Sequence, residues 1–528
     1  MRSVGGRSRR SGADPQSDVA ARKLLTRRGF LHAAGGVLAG SALPWPVMVA
    51  AEGRSDELAR LDATAQAALV RSGQVTPLEL VDAAIARIEA LNPELNAFVT
   101  TFYERAREQA RGALPDGPFR GVPYGIKDLS DYEGTRTSFG SRLFAENIAG
   151  ESNGIVQRSL AAGLVPLGKT NTPEFGLLAT TESMLLGPTR NPWSLEHHAG
   201  GSSGGAAAAV AAGMLPFAQA SDGGGSIRVP ASVCGVFGLK PSRGRIFRTG
   251  DGLPGDIAVR FAVSRSVRDS ATLLSVCEHN DAEAAISPVG IVSGPSSRRL
   301  KIAFSKNSLK GDAPDPEVAR AVDSTAVLCA ELGHELVEAA PAVSAEEFLH
   351  HFFTVWASGP AQLESMAWLI GLRQLRLVRA RDVLEPWTLG LAELYDGRPA
   401  GALEQSIEYF DRLTREFDAF FQQHDVLLTP VLTRPPLRLG EQRPDLPFDS
   451  LMERVSDYVG YTAQHNAAGT PAMSVPLSMS SDGLPIGSQF AARVGDEQTL
   501  LELAFELEQA RPWGQRWAPH SAVGSASA

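Results

Sequence analysis

Two glycine-rich stretches, each carrying serine, hold the residue types in this chain that point most directly to chemistry. Residues 200–205 read GGSSGG and include Ser202, and residues 221–228 read SDGGGSIR. Glycine lets a backbone turn sharply and approach a ligand closely. Successive free N–H groups in such a loop stabilise a developing oxyanion. Ser226 is therefore a candidate nucleophile beside its own oxyanion hole, and a nucleophilic serine needs a base.

The sequence around these loops predicts strands and helices in alternation. Residues 122–126 and 216–220 are short apolar runs typical of buried strands, and residues 206–212 predict a helix of small residues. A capping box at Thr76 predicts the start of a helix that ends at the Asn92–Pro93 pair. The alternation favours a mainly parallel or mixed sheet with helices on both faces. We find no linker that divides the chain after residue 55.

A long segment between the later strands, residues 345–424, predicts helices rich in Trp, Phe and Leu. Its aromatic residues, among them Phe353, Trp356 and Trp368, either line a substrate pocket or pack in the core. The sequence alone leaves both interpretations open.

Composition excludes several classes of function. The 528 residues carry a formal net charge of −9, whereas a nucleic-acid-binding surface is normally basic. Cys234, Cys277 and Cys329 are too few and too scattered for a disulfide framework or a zinc site, and we expect them to be small buried apolar residues.

The first 51 residues are expected to be a targeting segment. Residues 1–25 are basic and predict disorder, and residues 26–31 read TRRGFL, a twin-arginine signal. A moderately apolar run follows to about Ala50. Glycine and proline interrupt that run, which favours a cleaved signal over a transmembrane anchor. We therefore predict a leader over 1–51 and an exported, periplasmic domain over 52–528 with no stable membrane anchor after cleavage.

Residues 163–170 read GLVPLGKT, which matches the P-loop pattern. A P-loop needs a strand before its first glycine and a helix that starts at its lysine. Here the sequence predicts a helix before Gly163 and a strand within the pattern. Residues 171–173 delay any following helix, so we reject a nucleotide-binding interpretation.

Residues 201–205 also fit G-x-S-x-G, with Ser203 as the nucleophile. That motif requires a hydrophobic strand that runs directly into it, and residues 191–198 predict none. An α/β-hydrolase is therefore disfavoured. His197 and His198 precede the loop and are interpreted either as a base or as surface or hydrogen-bonding residues.

Several ordered motifs together resemble the amidase signature family. These are GVPYGIKDL at 121–129, GKTNTPEF at 168–175, the two serine loops, GVFGLKP at 235–241, NAAGTPA at 466–472 and DGLPIGSQ at 482–489. The resemblance covers roughly residues 58–515. It implies one α/β/α domain with a large twisted mixed β-sheet covered by helices on both faces.

The resemblance also implies a Ser–cis-Ser–Lys triad. Carried over by position, Ser226 is the nucleophile, Ser202 the bridging serine and Lys127 the base. The implied oxyanion hole consists of the backbone N–H groups of Gly223, Gly224, Gly225 and Ser226. In the family, Thr or Ile is common at the position of Gly223. A glycine there is expected to tolerate the turn and to loosen it.

Four further residues are predicted to support the site. Asp222 and Arg228 flank the nucleophile and either pair to brace the loop or remain solvated charges. Asn171 is expected to hydrogen-bond inside the site, and Ser203 to assist beside Ser202. The resemblance implies no metal and no cofactor.

The implied activity is hydrolysis of the C–N bond of a small, fairly apolar linear or cyclic amide through an acyl-enzyme. Residues 62–73 and 189–193 resemble the 6-aminohexanoate cyclic dimer hydrolases of this family. An aryl acylamidase or carbamate hydrolase is the alternative, and a glutaminase like the amidotransferase A subunit is a further one. We expect a small-molecule partner, no nucleic acid, and a monomer or homodimer.

Overall fold

The computed structural model describes residues 57–248, 255–281, 284–375 and 377–523. The predicted leader, its twin-arginine residues and the boundary at 51/52 lie outside the described residues.

The strands are short. They are β1 Phe98–Thr101, β2 Pro123–Lys127, β3 Val165–Thr170, β4 Glu182–Ser183, β5 Gly187–Pro188, β6 Arg190–Asn191, β7 Ser194–His198, β8 Phe217–Asp222, β9 Phe237–Lys240, β10 Val259–Ser264, β11 Lys301–Phe304, β12 Glu335–Glu338, β13 Val426–Pro430, β14 Ala472–Met479 and β15 Pro485–Ala492. Strands β2, β3, β9 and β13 are buried along their whole length.

The helices alternate with these strands. They are α1 Ala63–Arg71, α2 Pro77–Leu95, α3 Tyr103–Arg111, α4 Gly154–Ala161, α5 Gly204–Ala211, α6 Arg228–Cys234, α7 Val267–Cys277, α8 Pro316–Glu331, α9 Ala345–Arg373, α10 Ala380–Val383, α11 Pro386–Asp396, α12 Ala402–Phe421, α13 Phe448–Tyr458, α14 Ala463–Ala467 and α15 Glu497–Ala510. Short 3₁₀ turns lie at Arg142–Phe144 and Glu174–Gly176.

Within the described residues, eleven strands form one sheet in the order β1-β3-β2-β8-β10-β9-β14-β15-β13-β11-β12. Strands β2, β3 and β8 run parallel, as do β11, β12 and β13, while the centre of the sheet is antiparallel. The predicted single α/β domain with a large mixed sheet is confirmed. Because β2 and β8 are parallel neighbours, their carboxyl ends open at the same edge of the sheet.

Helix α5 explains the alanine-rich segment between the two loops. Every residue from Gly204 to Ala211 is buried, and the helix packs against β8 and α6. A Cβ on Gly205 would lie 2.2 Å from the backbone N of Asn171, so only a glycine fits there. Small side chains thus let this helix approach the loops that it separates.

One local prediction was wrong and two rejections are confirmed. Helix α2 does not end at Asn92–Pro93; it continues to Leu95, because a proline in the last turn removes only one hydrogen bond. Residues 194–198 form a polar strand that pairs outside the main sheet, so they are not the hydrophobic strand that G-x-S-x-G requires. Residues 165–170 are strand β3, preceded by helix α4, so the P-loop geometry is absent there.

Across the described residues, no helix combines the length and the apolar character needed to cross a bilayer.

Candidate active site

A buried lysine amine lies at the sheet edge where β2 and β8 end. Lys127 closes β2 and is fully buried. Its Nζ lies 2.7 Å from Ser202 Oγ, 2.8 Å from Ser203 Oγ and 3.0 Å from Ser221 Oγ. Its backbone N donates to Gln219 Oε1 on β8 at 2.8 Å, which fixes the end of one strand against the next. Three hydroxyl groups therefore surround the amine.

The hydrogen bonds around these hydroxyls fit an uncharged amine. Ser203 Oγ donates to the carbonyl of Ser221 and accepts from the Ser221 N–H, so toward Lys127 it acts as an acceptor. A neutral amine has two N–H donors and one lone pair. If its donors serve Ser203 and Ser221, the lone pair faces the Ser202 hydroxyl. That orientation lets Ser202 give its proton to the lysine.

Burial supports the same protonation state. Desolvation holds the pKa of Lys127 well below its ordinary value; the charge of Asp222 opposes this shift and that of Arg260 reinforces it. A buried ammonium loses its hydration, and three neutral hydroxyls replace only part of it. The amine at position 127 is therefore suited to act as a base near neutral pH.

Ser226 lies on the wall of a cavity next to this cluster. The cavity measures about 830 Å³ including its open mouth, and Gly201, Gly224 and Gly225 line it together with Ser226. The peptide bond between Gly201 and Ser202 is cis. The Ser226 carbonyl accepts from Ser203 N at 3.3 Å, which joins the two serine loops. The structure thus brings Lys127 and Ser202 into contact, with Ser226 on the adjoining surface.

The predicted oxyanion loop needs one correction. Gly225 N–H donates to Asp222 Oδ1 at 2.7 Å, so this group points toward the carboxylate rather than the cavity. Gly225 has φ +136°, and a Cβ there would lie 2.4 Å from Thr462 Oγ1. Position 225 therefore requires glycine for both its backbone and its surroundings. Gly223, Gly224 and Ser226 remain as candidate donors.

Asp222 and Arg228 form a fully buried ion pair, so the loop-bracing interpretation is confirmed and the solvated one is wrong. Arg228 Nη2 lies 2.9 Å from Asp222 Oδ1, and both side chains have zero exposure. The carboxylate also accepts from Ile227 N. Burial alone would raise the pKa of Asp222, but the charge and hydrogen bonds of Arg228 outweigh it and hold the pKa well below its ordinary range.

The guanidinium reaches beyond the loop to distant parts of the chain. Arg228 Nη1 donates to the Thr462 carbonyl and to Gln489 Oε1, and Nη2 donates to Asn466 Oδ1 at 2.6 Å. Asn466 Nδ2 returns to the Asp222 carbonyl at 2.8 Å. The segments around 466 and 489 carry part of the family resemblance, but their hydrogen bonds to Arg228 were not predicted from the sequence. The signal available in the sequence was an Asn and a Gln within mostly apolar segments, because a polar side chain buried in such a segment normally has a hydrogen-bond partner.

The side chain of Asn171 hydrogen-bonds to backbone groups rather than to the proposed triad residues, contrary to the prediction. Its side-chain amide donates to the carbonyls of Asn96 and Gly187, and its Oδ1 accepts from Thr172 N. The residue thus holds backbone segments in place. Ser203 was correctly placed beside Ser202. Ser221 and Gln219, which contact Lys127, were missed because nothing in the sequence distinguishes them from other strand residues.

Aromatic side chains from the helical segment line the cavity. Phe353 and Trp356 do so, together with Phe348, Phe352 and Trp387. Trp368 is instead 59% exposed at the far end of α9. Pocket lining was therefore the right interpretation for two of the three residues named from sequence. His198, one of the histidines considered as a base, is buried and accepts from Gly200 N through Nδ1.

In the described part of the chain, no group of three or more His, Cys, Asp or Glu residues is arranged to hold a metal ion.

Comparisons with known proteins match most of the chain to amidases. The Amidase family model matches residues 79–501. The putative amidase AmiC of Mycobacterium leprae is 39% identical over 469 residues, which cover 87% of this chain and 97% of that protein. A 6-aminohexanoate-cyclic-dimer hydrolase of Paenarthrobacter ureafaciens is 39% identical over 485 residues, or 86% of this chain and 96% of that protein.

A solved structure of 6-aminohexanoate cyclic dimer hydrolase complexed with substrate aligns with a TM-score of 0.80 at 35% identity. The alignment covers 88% of this chain and 99% of that one. The match thus spans nearly the whole of each relative. The chain belongs to the amidase signature family of amide-hydrolysing enzymes.

Proposed function

We propose that this enzyme hydrolyses a small, fairly apolar linear or cyclic amide through Ser226, Ser202 and Lys127. One observation carries the proposal: the buried Lys127 amine lies 2.7 Å from Ser202 Oγ, next to the cavity that Ser226 lines. A serine nucleophile, a proton relay and a buried base are the groups that acyl transfer needs.

In the first step, Ser226 Oγ attacks the amide carbonyl carbon. Its proton passes to Ser202, and the Ser202 proton passes to the neutral Lys127 amine. The N–H groups of Gly223, Gly224 and Ser226 hold the oxyanion, and each such donor contributes about 3 kcal/mol to transition-state stabilisation. Asp222 and Arg228 do not enter the reaction; they hold the loop that presents these donors.

The tetrahedral intermediate then collapses with cleavage of the C–N bond. The leaving nitrogen takes the proton back from Lys127 through Ser202, and an acyl-Ser226 ester remains. Water attacks this ester while the same relay accepts its proton, and the acid is released with Ser226 restored. One water molecule is consumed for each amide bond cleaved, and no further reactant is required.

The nucleophile is tested by Ser226→Ala, with Ser456→Ala as the matched control because Ser456 lines the same cavity. We expect Ser226→Ala to lose both turnover of a p-nitroanilide and labelling by a fluorophosphonate. Ser456→Ala should retain both. Unimpaired turnover and labelling in Ser226→Ala would overturn the assignment.

For the substrate, we propose an amide resembling the 6-aminohexanoate cyclic dimer. The apolar cavity and the relatives of that name support this. The aromatic lining and an acylamidase of Rhodococcus erythropolis, 34% identical, favour an anilide or another aryl amide as the alternative. A screen of nylon-type oligomers, anilides, carbamates and fatty amides separates these, and a glutaminase assay tests the amidotransferase-like alternative.

We also propose export through the twin-arginine route. The TRRGFL sequence at 26–31 and the interrupted apolar run after it support the proposal. A reporter fused to residues 1–51 should reach the periplasm, and replacing both arginines by lysine should retain it in the cytoplasm. Export that is indifferent to this replacement would contradict the proposal.

A further inference from the structure

Three aromatic side chains on α9 form a continuous stack that ends on the oxyanion loop. Phe348, Phe352 and Trp356 follow one another at four-residue intervals, so they share one helix face. Phe348 and Phe352 have centroids 5.6 Å apart and planes 19° from parallel; for Phe352 and Trp356 the values are 5.4 Å and 21°. We call these three residues the aromatic ladder. All three line the cavity.

The ladder touches the glycines of the loop directly. A Cβ on Gly223 would lie 3.0 Å from Trp356 Cζ3 and 3.3 Å from its Cη2. A Cβ on Gly224 would lie 3.2 Å from Phe352 Cζ. The indole of Trp356 therefore occupies the space into which a side chain at position 223 would extend.

Backbone conformation does not explain glycine at position 223. Gly225 in the same loop has φ +136°, where an L side chain is strained, but Gly223 lies outside the positive-φ region. The contact with Trp356 is thus the constraint that the structure places on this position. Gly223 and Trp356 form a complementary pair, one residue giving up volume that the other fills.

The remaining lining restricts what the cavity accepts. Among its described lining residues, Lys310 has the one charged side chain, and its Nζ pairs with Asp457 Oδ1 at 2.5 Å. Leu177, Leu178 and Trp387 complete the apolar surface. A charged substituent packed against this apolar part of the lining would lose its hydration without gaining a partner.

We propose that Trp356 and Phe352 determine specificity by packing against the substituent next to the scissile carbonyl. In this proposal, the glycine at position 223 leaves the space that Trp356 occupies. Resting on the proposed function, this names the substrate class: uncharged amides with a flat aromatic or comparably broad apolar group beside the carbonyl. Such groups pack against aromatic rings at centroid separations like those within the ladder.

The preference is tested with benzamide, acetanilide and propionamide, which carry an aromatic acyl group, an aromatic amine and neither. We expect Trp356→Ala to lower kcat/KM for at least one aromatic amide about tenfold relative to propionamide. Trp368→Ala, a change of the same type on the same helix at an exposed position, should leave the ratios at the wild-type value. Unchanged ratios in Trp356→Ala, or an equal change in Trp368→Ala, would overturn the preference.

The pairing of Gly223 with Trp356 is tested by a double-mutant cycle read by thermal unfolding, which needs no turnover. Gly223→Thr should lower Tm in the wild-type background and lower it much less in the Trp356→Ala background. An equal decrease in both backgrounds would refute the pairing. Hydrolysis of other amides in the wider screen with no turnover of either aromatic amide would also overturn the preference. Failure of the wild-type enzyme to hydrolyse any amide in that screen and to label at Ser226 would instead refute the proposed function.

Discussion

Replacing Arg228 by methionine removes the cation that joins the Ser226 loop to the C-terminal segments around Asn466 and Gln489. The substitution keeps a long apolar stem but leaves Asp222 as a charge with zero exposure. The carboxylate keeps the N–H groups of Gly225 and Ile227. The Gln489 side-chain oxygen loses its guanidinium donor.

The expected cost follows from these contacts. Breaking a buried ion pair by removing one partner costs about 3–5 kcal/mol, because the remaining charge is desolvated and unpaired. Because buried acceptors also lose the guanidinium donor, we expect the loss of stability in Arg228→Met to lie toward the upper end of that range. The pair of Arg268 with Asp62 is the control, since Arg268 is 53% exposed. Arg268→Met should cost about 0–1 kcal/mol.

The assay is urea unfolding followed by tryptophan fluorescence at several pH values. In the wild-type protein the depressed pKa of Asp222 contributes stability above its ordinary value of 3.8, and this is lost as pH falls toward the folded-state pKa. Without Arg228, burial raises the pKa of Asp222 instead, so protonation of this carboxylate stabilises the folded variant. The difference from wild type should therefore shrink as pH falls from 7 toward 4. A loss in Arg228→Met no larger than that in Arg268→Met would refute the reasoning.

Three further predictions concern the base, a buried carboxylate and the loop. Lys127→Met should abolish amide turnover, and wild-type activity should fall as pH drops through the lowered pKa of this amine, as a pH–rate profile will show. Burial and the neighbouring Glu174 raise the pKa of Glu385 from 4.5 to about 8. The wild-type protein therefore loses stability as the pH rises through this interval, because the unfolded chain releases the proton first. In pH-dependent Tm measurements, Glu385→Gln should lose less stability over the same interval. Gly225→Ala should cost about 1–3 kcal/mol in urea unfolding and reduce kcat. Gly359→Ala, at a helical site with nothing within 4 Å, should be neutral or slightly stabilising.

The features predicted well from sequence are those that neighbouring residues encode. The capping box at Thr76, the apolar runs that became β2 and β8, and the two glycine loops each lie within a few residues. The polar strand at 194–198 escaped prediction because pairing with β6, rather than an apolar pattern, forms it. Tertiary pairing overrode local preference there.

Long-range hydrogen bonds account for what was missed at the candidate site. The direction of the Gly225 N–H depends on the Asp222 carboxylate, and the partners of Arg228 come from residues 466 and 489. Asn171 was predicted to hydrogen-bond inside the site, but its amide binds the carbonyls of Asn96 and Gly187. A sequence pattern identifies such polar residues without fixing where their side chains point.

The reach of Arg228 across the chain has a consequence for biosynthesis. Its hydrogen bonds to Asn466 and Gln489 span 238 and 261 positions, so a nascent polypeptide cannot complete the nucleophile loop before those late segments have been translated. Fragments that stop short of α14 would carry Lys127, Ser202 and Ser226 yet lack both amides that bind the guanidinium. We therefore expect hydrolytic competence to arise only at the end of synthesis, and proteolytic removal of the last strands to inactivate the enzyme while leaving the proposed triad in place.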